Sequence, residues 1–174
     1  GISPIAKHYP GHGSVTEDSH VTLPLDPRPL EKIRSTDLKP YSAYRDIGFK
    51  GLMTSHVVYP AIDNQPATFS TRWIQGILRQ NIGFTGAVFS DDLNMAAART
   101  IGNIHSRVLS ALTAGCDMIL LCDNPDDMDA VLQRSPSYAS PRGRIRIETL
   151  YGSEPEPLDQ SELAEWRRRL VEFC

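Results

Sequence analysis

The sequence predicts an α/β fold in which parallel strands alternate with helices. Short apolar runs typical of buried strands recur along the chain, and residues between them repeat at helical spacing. Three of these runs are apolar almost throughout, as expected where helices cover both faces of a parallel sheet. A strand followed by a helix occurs four times, which favours right-handed crossovers between neighbouring parallel strands.

Four strands are predicted, and polar residues follow each of them. Their bounds are Ser3 to Tyr9, Gly51 to Val58, Gly86 to Ser90 and Asp117 to Cys122. In a (β/α)8 barrel the active site lies at the carboxyl ends of the strands, so the polar residues should gather there. Four units make only half of such a barrel and would leave two unpaired edge strands.

Helices are predicted from caps and apolar stripes. The first spans Pro40 to Ile47, and Ser70 caps a second that ends before Gly83. A third ends at Gly115, and Asn124 caps a fourth that begins with proline.

The segment 134–160 changes character. It is rich in Pro, Ser, Gly and Arg, which predicts an irregular surface connection. We interpret its arginines, Arg142, Arg144 and Arg146, as a solvated face, with anion binding as the alternative. A closing helix follows, predicted from apolar residues at helical spacing: Leu163, Trp166, Leu170 and Phe173.

Composition excludes several classes of protein. The chain has 174 residues, a net charge of −3 and a pI near 5.9, so nothing predicts a nucleic acid or an anionic membrane as partner. No apolar run approaches the roughly 20 residues that a membrane span needs. The chain has three cysteines, Cys116, Cys122 and Cys174. Because they are few and odd in number, they do not indicate a disulfide framework, and a reducing compartment is favoured.

Titratable side chains concentrate in the loop after the first strand, Lys7 to His20. Pro and Gly break the strand here, and the loop carries His8, His12 and His20. Asp18 and His20 are close enough for the carboxylate to orient and polarise the imidazole, as the acid does in a catalytic triad. A polar surface loop without chemistry is the alternative.

Two adjacent carboxylates, Asp91 and Asp92, end the third strand. Buried carboxylates are costly unless they are paired or functional. If strand alternation holds, Asp91 points into the barrel mouth, where it could attack a sugar anomeric carbon, and Asp92 could cap the next helix. His56 lies within an apolar strand and is either a core residue or a substrate contact.

A metal site is the rival interpretation of these side chains. His8, His12, His20, His56 and Asp91 all carry possible ligand atoms for a metal-dependent barrel hydrolase. However, the sequence has no HxH or HExxH spacing, and Pro and Gly separate the histidines. We therefore predict neither a metal nor another cofactor.

Five motifs occur in order: KHYPGHG, VTEDSH, MTSHVVYP, GFTGAVFSDDLNM and AGCDMILLC. Together, from about Ala6 to Leu132, they resemble the bacterial β-N-acetylhexosaminidases of glycoside hydrolase family 3, cytoplasmic enzymes of peptidoglycan recycling. The resemblance implies a single (β/α)8 barrel, of which residues 1–174 form units five to eight. Because the chain lacks a starting Met, we expect it to be a fragment that requires the N-terminal half-barrel. Tyr9 stands where these enzymes usually have Phe.

The resemblance also implies roles for single residues. Asp91 would be the nucleophile and His20 the general acid/base, oriented by Asp18. Lys7 and His8 would hold sugar hydroxyls, and we add His56 to these as a predicted substrate contact. The implied reaction removes terminal β-linked N-acetylglucosamine from muropeptides, with retention and through a covalent glycosyl–aspartate. The non-enzymatic alternative is a fragment that only binds sugar.

Overall fold

A computed structural model describes residues 3–43, 48–138, 140–152 and 159–172 and confirms the α/β fold. The strands are, in chain order, β1 (Ile5–Tyr9), β2 (Gly51–Thr54), β3 (Val58–Tyr59), β4 (Asp63–Pro66), β5 (Ala87–Asp92) and β6 (Met118–Leu120). The α-helices are α1 (Leu30–Ser35), α2 (Lys39–Ala43), α3 (Ala96–Arg99), α4 (Ile104–Ala114), α5 (Pro125–Gln133), α6 (Pro141–Glu148) and α7 (Gln160–Glu172). A π-helix spans Arg72–Ile82.

The central sheet has four parallel strands in the order β1-β2-β5-β6. Each strand lies beside the next in sequence, which is the arrangement of half a (β/α)8 barrel. Leu52 of β2 lies between Ala6 of β1 and Val88 of β5. Within the described residues β1 and β6 are the edges of this sheet. All four predicted strands are therefore confirmed, with their carboxyl ends on one side.

The second strand is shorter than predicted because the chain leaves the sheet after Thr54. The amide of Ser55 donates to the Tyr9 carbonyl at 2.8 Å, and the chain then forms the antiparallel hairpin of β3 and β4. The hairpin was not predicted, since the predicted second strand ran on to Val58 and so included the first residue of β3.

Most predicted helix ends are confirmed. The Ser70 hydroxyl accepts the Trp73 amide at 3.1 Å at the start of the π-helix, and Gly83 ends that helix with φ of 80°. Gly115 ends α4, and the Asn124 side chain accepts the Asp127 amide at the start of α5. Of the predicted helix Pro40 to Ile47 the structure describes only the part in α2, because residues 44–47 lie outside the described ranges. The closing helix is α7, and Phe173 also lies outside them.

The prediction that 134–160 is irregular is wrong for its middle part. Residues Ser135–Tyr138 form a 3-10 helix, and α6 follows with Ser140 as N-cap, its hydroxyl accepting the Gly143 amide at 3.3 Å. The interpretation of its arginines as a solvated face is wrong for Arg146, which donates to Asp117 at 2.9 Å. An ion pair thus contributes to the attachment of this helix to the sheet.

Tyr9 occupies the core at the end of β1. It is fully buried, and its hydroxyl donates to the Trp73 carbonyl at 3.0 Å. Its ring makes edge contacts with Tyr41 and Trp73, at centroid distances of 5.3 and 6.0 Å. The hydroxyl that distinguishes Tyr9 from Phe is therefore satisfied, as a buried tyrosine requires.

Neither a membrane span nor a disulfide is found in the described part of the chain. No helix there is long and apolar enough to cross a bilayer. Cys116 is a buried free thiol and Cys122 an exposed one, while Cys174 lies outside the described residues.

A buried carboxylate joins three elements at the amino ends of the strands. Asp117 accepts from Arg79 at 2.8 Å, from the Val88 amide at 2.9 Å and from Arg146 at 2.9 Å. The side chains of Asp117 and Arg79 are 5% and 10% exposed. This network ties the π-helix and α6 to β5, on the side of the sheet opposite the carboxyl ends.

We predict that Asp117→Ala lowers the free energy of unfolding by about 3–5 kcal/mol, because it leaves the Arg79 charge buried without its carboxylate. Urea denaturation of the protein that contains this chain measures the change. The matched control is Glu148→Ala, which breaks an exposed pair with Arg144 and should cost about 0.5 kcal/mol or less. Equal small losses for both variants would contradict a stabilising role for Asp117.

Candidate active site

The structure gathers several predicted site residues at the carboxyl end of the sheet. His8 lies in β1, His56 follows β2 and Asp91 lies near the end of β5. The Nε2 atom of His8 is 3.9 Å from Oδ2 of Asp91, and their side chains are 32% and 14% exposed. Parallel pairing thus brings together side chains that are distant in the sequence, as predicted.

Asp91 presents one carboxylate oxygen to this edge. Its Oδ1 accepts the amide of Asp92 at 2.9 Å, and its Oδ2 is the oxygen nearest to His8. The carboxylate is held by its own backbone while remaining partly exposed, so it can act on a molecule bound at this edge.

Asp92 has a different role. Its Oδ1 accepts the amides of Asn94 and Cys122, both at 3.0 Å. The carboxylate therefore holds the turn after β5 to the chain that leaves β6. Instead of capping the next helix, as its position had suggested, it bonds within the turn that precedes α3.

A buried arginine that the sequence analysis missed holds the same turn. Arg107, 6% exposed, donates to the Leu93 carbonyl and to Oδ1 of Asn94, and its guanidinium lies 3.5 Å from Asp127. Asn94 in turn donates to the Cys122 carbonyl at 2.9 Å. The sequence does contain a signal that could have identified Arg107, because it is a charged residue on the apolar face of α4, one position before Val108.

His56 is buried and bonds to the backbone at the end of β5. It has no exposed surface, stacks on Phe69 at a centroid distance of 5.6 Å and bonds through Nε2 to the Asp92 carbonyl at 3.0 Å. A carbonyl only accepts, so Nε2 carries a proton and donates it. Burial lowers the pKa of His56. The negative charge of Asp91 acts in the opposite direction but does not cancel this shift. The neutral ring leaves Nδ1 buried with no partner in the described part of the chain.

His8 sits where the basic groups of the first loop meet Asp91. Burial lowers its pKa, the Asp91 carboxylate opposes that shift, and the charges of Lys7, His12 and His20 add to it. The rings of His8 and His12 are 6.4 Å apart. Lys7, His8 and His12 line an open cavity of about 600 Å³ beside β1, a size suited to a small ligand.

Asp18 and His20 form the predicted pair. Oδ1 of Asp18 accepts from the His20 amide at 2.9 Å and bonds to Nδ1 of His20 at 2.7 Å. These bonds, the backbone one first, lower the pKa of Asp18. Because an ionised carboxylate only accepts, Nδ1 carries the proton and Nε2 is left available. Both side chains are exposed, by 62% and 74%, on the loop after β1.

Possible metal ligands do not cluster in the described part of the chain. No group of three or more His, Cys, Asp or Glu side chains is placed there to hold an ion.

Comparisons with known proteins show which proteins this chain is similar to. The profile of the glycosyl hydrolase family 3 N-terminal domain matches residues 1–142. The beta-hexosaminidase of Methylobacillus flagellatus is 44% identical over 87% of this chain and 44% of its own length. That of Chromobacterium violaceum is 42% identical over 98% of this chain and 46% of its own length. The chain thus spans slightly under half the length of these relatives.

Solved structures share the fold. NagZ from Neisseria gonorrhoeae in complex with N-trifluoroacetyl-D-glucosamine superposes with a TM-score of 0.79 at 38% identity, over 89% of this chain and 44% of that one. The same protein has been solved with a zinc ion, at 37% identity, a TM-score of 0.78 and the same coverage. The beta-N-acetylglucosaminidase from Thermotoga maritima gives 0.73 at 32% identity, over 89% and 36%.

We predict that stability falls on acidification and that His56 contributes to the fall. The pKa of folded His56 lies below its ordinary 6.5, so the unfolded chain binds the proton first. Its contribution is complete above about pH 6.5 and is lost as the pH drops below that value, by at most about 1.4 kcal/mol per pH unit. His56→Gln, whose amide can still donate to the Asp92 carbonyl, should flatten this dependence.

Urea denaturation between about pH 7.5 and 5.5 measures the slope. The control is His20→Gln, which removes a largely exposed imidazole. An unchanged slope in His56→Gln would contradict the assignment of His56 as a buried neutral ring.

Proposed function

Since this chain belongs to glycosyl hydrolase family 3, we propose that it supplies the nucleophile and the acid/base of a retaining β-N-acetylhexosaminidase. The observation that carries the proposal is Asp91, partly exposed at the end of β5 and 3.9 Å from His8. The loop that bears the Asp18–His20 pair bonds through the Ser19 carbonyl to α3, the helix that follows the turn after Asp91. The names of the relatives and the amino-sugar complex of neisserial NagZ support the terminal β-linked N-acetylglucosamine as the sugar.

In the first step, a carboxylate oxygen of Asp91 forms a bond to the anomeric carbon while the glycosidic bond breaks. The leaving oxygen takes the bond's electron pair and receives a proton from Nε2 of the His20 imidazolium. The product of this step is a covalent glycosyl–aspartate. The Asp18 carboxylate, bonded to Nδ1, stabilises the positive ring before the transfer.

In the second step, Nε2 of the neutral ring takes a proton from water, and the water oxygen attacks the same carbon. The bond to Asp91 breaks, and the two inversions give net retention. An imidazole exchanges a proton near neutral pH, so one group can serve in both steps. A histidine also avoids a second negative charge beside Asp91.

Sugar binding is assigned to the residues beside the nucleophile. Lys7 and His8 are proposed to hold hydroxyls of the sugar, because both lie in β1 and His8 adjoins Asp91. His56, which has no exposed surface, is proposed to act through the backbone of Asp92. The remaining contacts would come from the N-terminal half-barrel, which we propose the chain requires. Muropeptides as substrate and the cytoplasm as location rest on the resemblance alone.

We predict that Asp91→Ala in the complete protein lowers kcat for an aryl N-acetyl-β-glucosaminide by at least about 10³-fold, because the covalent intermediate cannot form. Steady-state hydrolysis measures this. Asp129→Ala, the same change at an exposed position of α5, is the matched control and should retain activity. An Asp91→Ala enzyme with normal activity would remove Asp91 from the mechanism.

The rival metal-dependent hydrolase is tested in the same assay. A relative has been solved with zinc, so the wild-type protein is treated with EDTA and then resupplied with zinc. The proposed mechanism predicts unchanged activity after EDTA. Activity that is lost with EDTA and restored by zinc would establish the metal-dependent alternative instead.

We predict that His20→Ala lowers kcat/KM by about 10²–10⁴-fold for a disaccharide, whose leaving group needs a proton, and far less for an activated aryl glycoside. The ratio kcat/KM reports the first irreversible step, in which the leaving group departs. Asp18→Asn should show the same pattern with a smaller loss. Equal losses on the two substrates would argue against proton transfer by His20.

A further inference from the structure

A buried serine lies between the two exposed members of the acid/base pair. Ser19 is 4% exposed, whereas the side chains of Asp18 and His20 are 62% and 74% exposed. Serine is mostly found at the surface, and a buried hydroxyl requires a hydrogen-bond partner. The burial of Ser19 therefore points to a specific attachment of the loop at this residue.

Ser19 contacts both sides of the site. Its hydroxyl bonds to Nε2 of His12 at 3.1 Å, and its carbonyl accepts the Ala97 amide at 3.3 Å. Ala97 belongs to α3, the helix that follows the turn after Asp91. The middle of the acid/base loop is thus joined to the beginning of the loop and to the element that follows the nucleophile.

The beginning of the loop is itself fixed. The Gly11 carbonyl accepts the Tyr59 hydroxyl at 2.5 Å, and Gly11 packs so closely on Asp37 that an added Cβ would lie 2.3 Å from Oδ1. His12 follows directly, so its ring projects from a constrained backbone. It is therefore suited to hold Ser19 in one place.

The far end of the loop is also attached to the scaffold. The Val58 amide donates to the Pro24 carbonyl at 3.0 Å, and the Asp26 amide donates to the Val58 carbonyl at 2.8 Å. Both ends of the loop are therefore attached, and the bonds of Ser19 fix the middle of the loop, where Asp18 and His20 are exposed.

We propose that Ser19 is a positioning residue, held by His12, that sets where Asp18 and His20 stand relative to Asp91. The proposal rests on the proposed function, since it presupposes that His20 transfers the proton. Without the hydroxyl, the loop keeps its two ends and the backbone bond from Ala97 to the Ser19 carbonyl, but the bond to His12 is lost, and His20 occupies the productive position less often. The nucleophile is untouched, so only substrates that need protonation suffer.

The test compares Ser19→Ala with Ser14→Ala, the same change at an exposed position of the same loop, in the complete protein. For Ser19→Ala we expect kcat/KM to fall about 10–100-fold on a disaccharide, as for a small misplacement of a catalytic group, and less than about 3-fold on an activated aryl glycoside. Ser14→Ala should match the wild type on both. Thermal melting verifies that each variant is folded.

Partner variants test the bond itself. His12→Phe should reproduce the leaving-group pattern of Ser19→Ala, while His12→Gln, which keeps an N–H donor, should recover most of the loss. In a His20→Ala background, Ser19→Ala should cost less than about 2-fold, because residues that act through one group are not additive.

Three outcomes would overturn the proposal: Ser19→Ala equal to Ser14→Ala, equal losses on the two substrates, or full additivity with His20→Ala. Failure of the proposed function is distinguishable from these, because it requires Asp91→Ala or His20→Ala to retain normal hydrolysis. If both of those variants lose activity as predicted and Ser19→Ala does not, only the positioning role is rejected.

Discussion

The end of β5 must accommodate two adjacent carboxylates, and the structure gives them different partners. Asp92 holds the backbone of the turn, since its Oδ1 accepts the amides of Asn94 and Cys122, and its carbonyl accepts the bond from His56. Arg107 of α4 stabilises the same turn by donating to Oδ1 of Asn94. With Asp92 occupied, Asp91 is the acid left facing His8, and the remaining side chains of the edge are arranged around it.

The loop after β1 meets a different requirement, because the group that we propose as the acid/base has to reach a bound sugar from outside the sheet. Asp18 and His20 are exposed, and their mutual bond sets the tautomer that leaves Nε2 available. Exposure alone would leave the pair without a defined position. Burial of the residue between them supplies one, with bonds to His12 and to α3. The exposed Asp18 and His20 thus lie on either side of the buried Ser19.

Stability and chemistry are separated between the two ends of the sheet, as in other parallel barrels. At the amino ends, Asp117 holds two arginines and a backbone amide in a network with little exposure. At the carboxyl ends, Asp91 is only partly paired, because His8 lies 3.9 Å from it rather than in hydrogen-bond contact. A carboxylate without a full set of partners is less stabilised, but it remains free to react.

The sequence by itself determined the features that local chemistry controls. The four strands, the caps at Ser70 and Asn124 and the Asp18–His20 pair all depend on residues within a few positions of one another. It also identified Asp91 as the acid at a strand end. Only the tertiary structure decided which partner each remaining side chain takes: His56 and the Asp92 carbonyl are 36 positions apart, and Arg146 and Asp117 are 29 apart. Such contacts follow from how strands and helices pack, for which the periodicity of a single segment carries no signal. For the same reason, the polar sequence of this loop gave no sign that Ser19 is buried. Its burial depends on the contact between the loop and α3.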